Sequence, residues 1–333
     1  MRIATLNAPF RYGADPSQWI TVPPQGYGGI QWVVSHLIDG FLETGNEVLL
    51  LGAPGSPPRP GLTVLPAIDA PSVATTLAEH AVDVVHDHSD GVMLPPYLAL
   101  PTVGTHHLTG VPAVPVNCIY VSEAQRRQAG SLHAPVIRLP VNADHCEFSI
   151  AKKDYLLYIG RVSRHKGVHE AAAFAAAAGL PLKVAGPAWE KGYFNVLVGQ
   201  FPHTVDYIGE VGPQQRAQLI AHARALLVLS QPVKGPFGTE WCEPGSTVVA
   251  EAAASGTPVI ASDNGCLPEI VPRVGAVLNS GNNVTASEAE RLLAILPSAD
   301  ELRNVALEQW GHVRIAEQYL RHFARAMRDD NWT

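Results

Sequence analysis

Residues 155–186 read YLLYIGRVSRHKGVHEAAAFAAAAGLPLKVAG, and this stretch contains the local pattern that decides the fold. A short apolar run at 155–160 is followed by a polar loop, an alanine-rich segment at 168–178 and a second apolar run at 182–186. This alternation is typical of a strand, a helix and a second strand parallel to the first. The stretch therefore predicts a βαβ unit of an α/β protein.

The same alternation extends over the whole chain. In the first half, the runs that predict strands are IATLN, EVLLLG, DVVHDH, PTVGTHH, CIYVS and PVIRLP. In the second half, VDYIG, ALLVLS, TPVIAS and GAVL join YLLYIG and LKVAG. Between the first two runs, the apolar residues from Ile30 to Leu42 recur at helical spacing, and Gly45 ends that pattern. The sequence thus predicts two doubly wound, Rossmann-like α/β units.

The boundary between these units is predicted from a loss of periodicity. Residues 139–154 gather polar side chains and precede a fresh strand, so we predict one domain over 1–145 and a second over 146–311. The last helix, at about 312–328, has no strand after it, and we expect the segment 312–333 to complete the first domain. Because ligands of open α/β sheets bind beyond the carboxyl ends of the strands, two such units facing each other predict a cleft.

The composition limits the class of protein. The chain has 333 residues, more than one core usually organises, and 47% of them are apolar, which is enough for two cores. A formal net charge of -7 leaves no basic surface that could follow a phosphate backbone, so we expect no nucleic-acid partner. The four cysteines include no CxxC pair, which argues against a disulfide framework. With no signal peptide and no apolar run of about 18 residues, we expect a soluble cytoplasmic protein without a membrane segment.

Two loops at predicted strand or helix ends have residues suited to a phosphate ligand. Gly28 and Gly29 precede the first helix, where backbone N–H groups favour anions. Arg161 and Lys166 follow the strand YLLYIG and would place two cations beside a diphosphate. The alternatives are a tight turn without a ligand for the glycines and a solvated basic turn for the cations.

Histidines cluster at the ends of two other predicted strands. His86 and His88 lie in HDHSD, and His107 ends PTVGTHH. Metal ligands need convergent geometry, which two separate histidine pairs need not provide, so we expect no metal site. We expect His86 and His88 to be satisfied by backbone hydrogen bonds. For His107, a position facing a ligand and the same structural role remain open.

The segment EWCEPGSTVVAEAAASGT, residues 240–257, sets two acids around a predicted helix start. Gly245, Ser246 and Thr247 predict the N-terminus of a helix that contains Glu251, whereas Glu243 precedes it. A ribose at Glu251, a diphosphate at the helix start and a sugar at Glu243 would form a consistent ligand site. The alternative treats Glu243 as an acid that favours the helix dipole and Glu251 as a surface residue.

These motifs together resemble the retaining glycosyltransferases of family 4, which have the GT-B fold. Glu243 and Glu251 match the E-x7-E pattern of that family, and the resemblance covers nearly the whole chain. Further segments that resemble the family are YGGIQWVVSHLIDGFLETGNEVLLLGAPGS, PTVGTHH, LPVNADHCEF, YLLYIGRVSRHKG and SGTPVIASDNGCLPEIV. The order and spacing of these segments make the resemblance specific.

The resemblance implies a retaining hexosyltransferase that needs neither a metal nor another cofactor. It would move a sugar from a UDP- or GDP-sugar to a small-molecule or glycan acceptor. By position, Arg161 and Lys166 would neutralise the leaving diphosphate, with Gly245, Ser246 and Thr247 beside it. Glu251 would hold the ribose, and Glu243 would contact the donor sugar. In the first domain, His107 would face the reacting sugar, and Gly28 and Gly29 would close on the diphosphate.

One segment departs from the family pattern. Many members have E-x-F-G where this chain has Glu243-Pro244-Gly245-Ser246, so the aromatic residue is missing and the glycine comes one position early. A PFG segment at 236–238 makes Glu240 a second candidate for the sugar contact.

Two functions of other classes remain compatible with the sequence. A non-hydrolysing nucleotide-sugar epimerase can share the two-domain fold, and a nucleotide-sugar binding protein could keep the cations without transferring the sugar. A dehydrogenase is disfavoured because no GxGxxG follows the first strand.

Overall fold

The computed structural model describes residues 1–13, 15–236, 238–279 and 284–332. The chain divides into two compact units, one formed by Met1–Asn142 with the C-terminal segment that begins at Trp310, and the other by Ala143–Gln309. Each unit contains a six-stranded sheet, and the paired strands of both sheets run parallel. This architecture confirms the prediction of two doubly wound α/β units.

The strands, in chain order, are β1 (Arg2–Asn7), β2 (Glu47–Leu51), β3 (Leu62–Leu65), β4 (Val84–His88), β5 (Thr102–Thr105), β6 (Cys118–Ile119), β7 (Leu156–Ile159), β8 (Leu182–Ala185), β9 (Val205–Gly209), β10 (Ala225–Val228), β11 (Val259–Ser262) and β12 (Gly275–Leu278). The α-helices are α1 (Gly29–Glu43), α2 (Ala70–Glu79), α3 (Glu123–Gln128), α4 (Val168–Ala177), α5 (Lys191–Gln200), α6 (Pro213–His222), α7 (Thr247–Ala254), α8 (Leu267–Ile270), α9 (Ala286–Ala294), α10 (Ala299–Trp310) and α11 (His312–Ala326). Short 3-10 turns cover Ala143–His145 and Arg164–Lys166.

The two sheets share one topology. Their strand orders are β3-β2-β1-β4-β5-β6 and β12-β11-β10-β7-β8-β9, so each unit winds outward in both directions from its first strand. In such a sheet the loops that leave the two central strands diverge and open a crevice at the carboxyl end. The crevice therefore lies after β1 and β4 in the first unit, and after β7 and β10 in the second.

The C-terminal helix α11 packs against α1 within the first unit. A Cβ at Gly40 would lie 2.5 Å from the His312 carbonyl oxygen, so the two helices approach closely only because Gly40 has no side chain. Phe41 then contacts Phe323 and Tyr319, with ring centroids 5.6 and 6.5 Å apart. Burial of these rings fixes α11 on the sheet by the hydrophobic effect, since a fully buried aromatic side chain contributes about 2–3 kcal/mol.

Two strand assignments differ from the sequence pattern. PVIRLP, predicted as a strand, forms only a single bridge between Val136 and Tyr120. Its flanking residues Pro135 and Pro140 have no backbone N–H, so the ladder cannot extend through them. Conversely, Leu62–Leu65 forms β3 at the edge of the first sheet, a strand that the sequence pattern did not predict. The other predicted strands are present.

No helix in the described parts of the chain combines the length and the apolar character that a membrane span requires.

Candidate functional site

In the second unit, the loops after β7 and β10 bring a lysine and a buried glutamate into direct contact. Lys166 Nζ lies 2.7 Å from Glu243 Oε1 and 3.0 Å from Oε2. Glu243 is only 4% exposed, so this carboxylate has little water around it and depends on protein partners. Because β7 and β10 are neighbours at the centre of the sheet, the crevice at their carboxyl ends is where the pair forms.

Trp241 completes the surroundings of Glu243. Its indole Nε1–H donates a hydrogen bond to Glu243 Oε2 at 3.0 Å, and its ring lies 4.3 Å from Lys166 Nζ and 4.7 Å from the His165 ring. Trp241 belongs to none of the motifs that the sequence indicates. The signal that could have found it is its place two residues before Glu243. Trp241 thus provides an aromatic contact close to the position where the family's aromatic residue is missing.

A close backbone approach fixes the main chain of Glu243. The N–H of Cys266 donates to the Glu243 carbonyl oxygen at 2.9 Å. Gly265 has φ of +61°, and a Cβ there would lie 2.3 Å from that same oxygen. Glycine is therefore required at this position, both for its left-handed conformation and for the space it leaves. The turn after β11 therefore holds the main chain of Glu243 in place.

Arg161 lies half-buried at the start of the same loop as Lys166. Its Nη2 is 3.2 Å from His165 Nε2, and its guanidinium carbon is 5.5 Å from the Trp189 ring centroid. Burial, with the charges of Lys166 and Arg161, lowers the pKa of His165 to about 3. His165 is therefore neutral near pH 7 and accepts from Arg161 through Nε2. The buried Arg161 Nε has no hydrogen-bond partner in the described part of the chain.

The predicted helix start is present as α7. Thr247 is its first residue and Ser246 is the N-cap, but the Ser246 side chain makes no capping hydrogen bond. The first N–H groups of an α-helix have no partner within the helix, and the dipole is positive there. Gly245, Ser246 and Thr247 are half-buried, so these N–H groups can meet an anionic ligand.

Glu251 lies in the middle of α7 and is 5% exposed, so the alternative that it is a surface residue is wrong. Arg216 of α6 donates to Glu251 Oε2 from Nε at 2.9 Å and from Nη2 at 2.5 Å. The other carboxylate oxygen, Oε1, is buried without a hydrogen-bond partner in the described structure. Arg216 was missed by sequence analysis, because nothing in α6 marks this arginine as the partner of an acid 35 residues later.

In the first unit, the histidines that follow β4 and β5 form a chain of side-chain contacts. His107 Nε2 lies 2.8 Å from His88 Nδ1, and His88 Nε2 lies 3.3 Å from His86 Nδ1. His86 Nε2 then lies 2.9 Å from Thr105 Oγ1, which is 3.1 Å from the Tyr319 hydroxyl. The expectation that backbone groups satisfy His86 and His88 is wrong, because β4 and β5 are adjacent and bring the two histidine pairs together.

Burial keeps these three imidazoles neutral. It lowers the pKa of His86 and of His107 to about 3, and the pKa of His88 well below its usual value. His86 contacts the rings of Phe41 and Phe323, with centroids 6.0 and 5.0 Å away, which are apolar surroundings for a charge. A neutral imidazole has one donor and one acceptor, so each ring can bond to two neighbours in the chain.

The glycine loop of the first unit contains two different environments. Gly28 is the N-cap of α1, and a Cβ there would lie 2.8 Å from Pro24 Cβ, so a tight turn is sufficient reason for this glycine. Gly29 is exposed and would place its Cβ in open space. In the second unit, Glu240 is exposed and forms an isolated antiparallel β-bridge with Lys234 through the backbone. Phe237 of the PFG segment lies outside the described residues.

Comparison with known proteins identifies close and distant relatives of this chain. It is similar to AviGT4, a glycosyltransferase involved in avilamycin A biosynthesis, with 51% identical residues, coverage of 100% of this chain and 99% of that chain, and a TM-score of 0.95. Residues 144–304 match the family model of glycosyl transferases group 1. No curated protein sequence matches the chain significantly.

Two more distant structures share the fold. A sucrose-phosphate synthase from Thermosynechococcus elongatus is 17% identical, with coverage of 98% of this chain and 99% of that chain and a TM-score of 0.75. Anabaena HepE, solved in complex with UDP-glucose, is 16% identical, with coverage of 97% of this chain and 99% of that chain and a TM-score of 0.66.

Proposed function

The chain belongs to the group 1 glycosyltransferases, and we propose that it is a family 4 enzyme that transfers a hexosyl group from a nucleotide-diphospho sugar with retention of anomeric configuration. The reaction needs no metal ion, and its acceptor is a small molecule or a glycan. Membership of the family rests on the 51% identity to AviGT4 over the full chain.

The observation that carries the proposal is the unpaired oxygen of Glu251. Oε2 of this buried carboxylate is held by Arg216, whereas Oε1 has no partner in the described structure. An unsatisfied buried acceptor costs about 1–3 kcal/mol, which a donor on a ligand would recover. Vicinal hydroxyl groups, such as those of a ribose, are donors of the required kind. We assign Glu251 to the ribose of the donor.

The leaving diphosphate is assigned to the neighbouring cations and to the start of α7. Negative charge develops on the phosphate oxygen as the glycosidic bond breaks, and fixed donors stabilise it most when they need not reorganise. Arg161 has an unpaired Nε and a position fixed by His165 and Trp189. The Lys166 ammonium group has three N–H donors, and those that do not bond to Glu243 remain for the phosphate.

The contacts of Glu243 favour retention without a covalent intermediate. Its two oxygens accept hydrogen bonds from Lys166 and Trp241, and both interactions would weaken the carboxylate as a nucleophile. Glu243 therefore holds the donor sugar and does not attack it. The acceptor approaches on the face from which the diphosphate leaves, and the departing phosphate oxygen accepts the acceptor's proton. Cations that already serve this phosphate make a metal unnecessary.

The donor and acceptor are chosen for testing from the relatives. HepE shares the fold and binds UDP-glucose, so UDP-sugars are the first donors to test, followed by GDP-sugars. AviGT4 is involved in avilamycin A biosynthesis, so intermediates of that pathway are the first acceptors to test. In the first unit, His107 is proposed to contact the reacting sugar, and Gly28 and Gly29 to contact the diphosphate.

The proposal is tested by thermal unfolding in a panel of UDP-, GDP- and ADP-sugars, with the matching nucleosides as controls. A ligand at about 100 times its dissociation constant adds about 2.7 kcal/mol to the free energy of unfolding. Donors that raise the melting temperature are then incubated with acceptors, and NMR of the product reports the anomeric configuration. Release of nucleoside diphosphate with a retained product supports the proposal. An inverted product, or no shift with any nucleotide sugar, would contradict it.

A further inference from the structure

Five side chains of the first unit form one continuous hydrogen-bonded chain that ends at His107. It begins at the Tyr319 hydroxyl on α11 and passes through Thr105, His86 and His88, with successive atoms 3.1, 2.9, 3.3 and 2.8 Å apart. The two central histidines are at most 2% exposed, so water does not interrupt the chain. At its far end, His107 Nδ1 has no hydrogen-bond partner among the described residues.

The protons of the three imidazoles must all point in the same direction. Each neutral imidazole donates from one nitrogen and accepts at the other, so the state of one ring dictates the state of the next. The three rings therefore have two arrangements. Either Thr105 donates to His86 Nε2, which places a proton on His107 Nδ1, or Thr105 accepts from His86, which leaves Nδ1 bare.

Tyr319 decides between these arrangements. Its side chain is 1% exposed, and within the described chain its hydroxyl contacts only Thr105. Burial raises the pKa of this hydroxyl, so it keeps its proton. If His86 donated to Thr105, then either the Thr105 proton or the Tyr319 proton would have no acceptor in this row of side chains, at a cost of about 1–3 kcal/mol. Every buried proton is satisfied when Tyr319 donates to Thr105 and Thr105 donates to His86.

We propose that Tyr319, Thr105, His86 and His88 are positioning residues that hold the proton of His107 on Nδ1, so that His107 presents an N–H donor to its ligand. If His107 contacts the donor sugar, which rests on the proposed function, it donates to a sugar oxygen and cannot take the acceptor's proton through Nδ1. The neutral donor then orients the sugar, and the proton of the acceptor leaves with the phosphate.

The position of the proton can be measured without any ligand. Two-bond proton–nitrogen correlation NMR of the ¹⁵N-histidine-labelled protein reports which ring nitrogen bears hydrogen, and the signals of His107 are identified by their loss in His107→Gln. We expect the Nδ1–H form in the unmodified protein. An Nε2–H form, or an even mixture of both forms, would overturn the proposal.

Variants of Thr105 test whether the chain sets this proton. Thr105→Val removes the hydroxyl and should produce a mixture of the two His107 forms, whereas Thr105→Ser keeps the hydroxyl and should keep Nδ1–H. If Thr105→Val does not fold, Thr105→Ala is the second variant, because it also removes the hydroxyl that donates to His86. A His107 signal that is the same in the unmodified protein and in the folded Thr105→Val or Thr105→Ala protein would show that these residues do not position the proton.

Kinetics separate this proposal from the proposed function. With an active donor, Thr105→Val should lower kcat by the fraction of His107 that leaves the Nδ1–H form, about twofold for an even mixture, with the donor KM unchanged. Thr105→Ser should keep the kcat and KM of the unmodified enzyme. If NMR shows the Nδ1–H form but His107→Gln transfers sugar normally, the hydrogen-bonded side chains do position the proton, and the proposed role of His107 in sugar transfer is wrong.

Discussion

Lys166 and Glu243, which are 77 residues apart in the sequence, form an ion pair with Nζ 2.7 Å from Oε1. A cation proposed to bind the diphosphate and an acid proposed to bind the sugar could each contact only the ligand. Here the two side chains also contact each other, so a substitution at one position changes the electrostatic environment of its partner.

Lys166→Met should destabilise the fold as well as lower activity. Removing one partner of a largely buried pair leaves the other charge uncompensated, and we expect a loss of about 2–4 kcal/mol in the free energy of unfolding by urea. The double variant Lys166→Met/Glu243→Gln should lose at least about 1 kcal/mol less than the sum of the single variants. Lys183→Met, in an exposed pair with Asp206, is the control and should cost at most about 1 kcal/mol. Strict additivity would contradict the coupling.

Arg161→Ala should lower turnover about 100-fold or more with the fold intact. Arg161 is assigned to the charge that develops on the leaving diphosphate, and losing one such donor has effects of this size. Arg164→Ala is the matched control, since this arginine belongs to the same loop but is exposed and lies over the Tyr193 ring at 5.0 Å. Steady-state rates of nucleoside diphosphate release measure both. Equal effects at the two positions would mean that the diphosphate site is misplaced.

Glu251→Gln and Glu243→Gln should affect different kinetic constants. Glu251 is assigned to the ribose, which does not change during the reaction, so its loss should raise the donor KM about tenfold with little change in kcat. Glu243 is assigned to the sugar, where contacts strengthen in the transition state, so its loss should lower kcat.

Calorimetry with free UDP provides the companion measurement for these two variants. UDP has no sugar beyond the nucleotide, so its affinity should fall in Glu251→Gln and remain nearly unchanged in Glu243→Gln. A normal kcat in Glu243→Gln would move the sugar contact elsewhere, with Glu240 as the next candidate.

Transfer should survive chelation of divalent metal ions. The charge of the diphosphate is assigned to Arg161, Lys166 and the start of α7, which together perform the role that a bound cation would otherwise have. Rates measured with excess EDTA should match those in untreated enzyme, and added Mg²⁺ or Mn²⁺ should not increase them. Loss of activity in EDTA that either ion restores would refute metal independence.

Stability should fall as the pH drops below about 6.5. An unfolded histidine titrates near pH 6.5, whereas burial lowers the pKa values of His86 and His107 to about 3 and that of His88 well below its usual value. Between these values the unfolded chain binds protons that the folded chain does not, so folding loses free energy as acid is added. These three histidines and His165, whose pKa is also lowered to about 3, together give a slope of about 5 kcal/mol per pH unit where all four are protonated in the unfolded state.

Thermal unfolding between pH 7.5 and 5 measures this slope. His88→Gln should reduce it by about 1.4 kcal/mol per pH unit, the contribution of one proton. His133→Gln, at an exposed position, should leave it unchanged. Identical slopes in His88→Gln and the unmodified protein would show that His88 is not held neutral by the fold.

The sequence by itself determined the two sheets and the positions of the acids relative to α7. Strand runs such as 155–160 and the alanine-rich α4 are encoded by apolar residues within a few positions of one another, so their periodicity can be read locally. The helix start at Thr247, and hence the place of Glu251 within α7, follows from the same local chemistry. PVIRLP does not form a strand, because its prolines have no backbone N–H to donate to a neighbouring strand.

Tertiary structure alone decided which side chains meet. Arg216 donates to Glu251. Glu243 accepts from both Trp241 and Lys166. Tyr319 connects to His107 through residues on two adjacent strands. These contacts join segments that are far apart in the sequence and adjacent only because the strand order places their loops or helices together. A hydrogen bond depends on distance and direction in space, and local periodicity carries no information about either for residues on different elements.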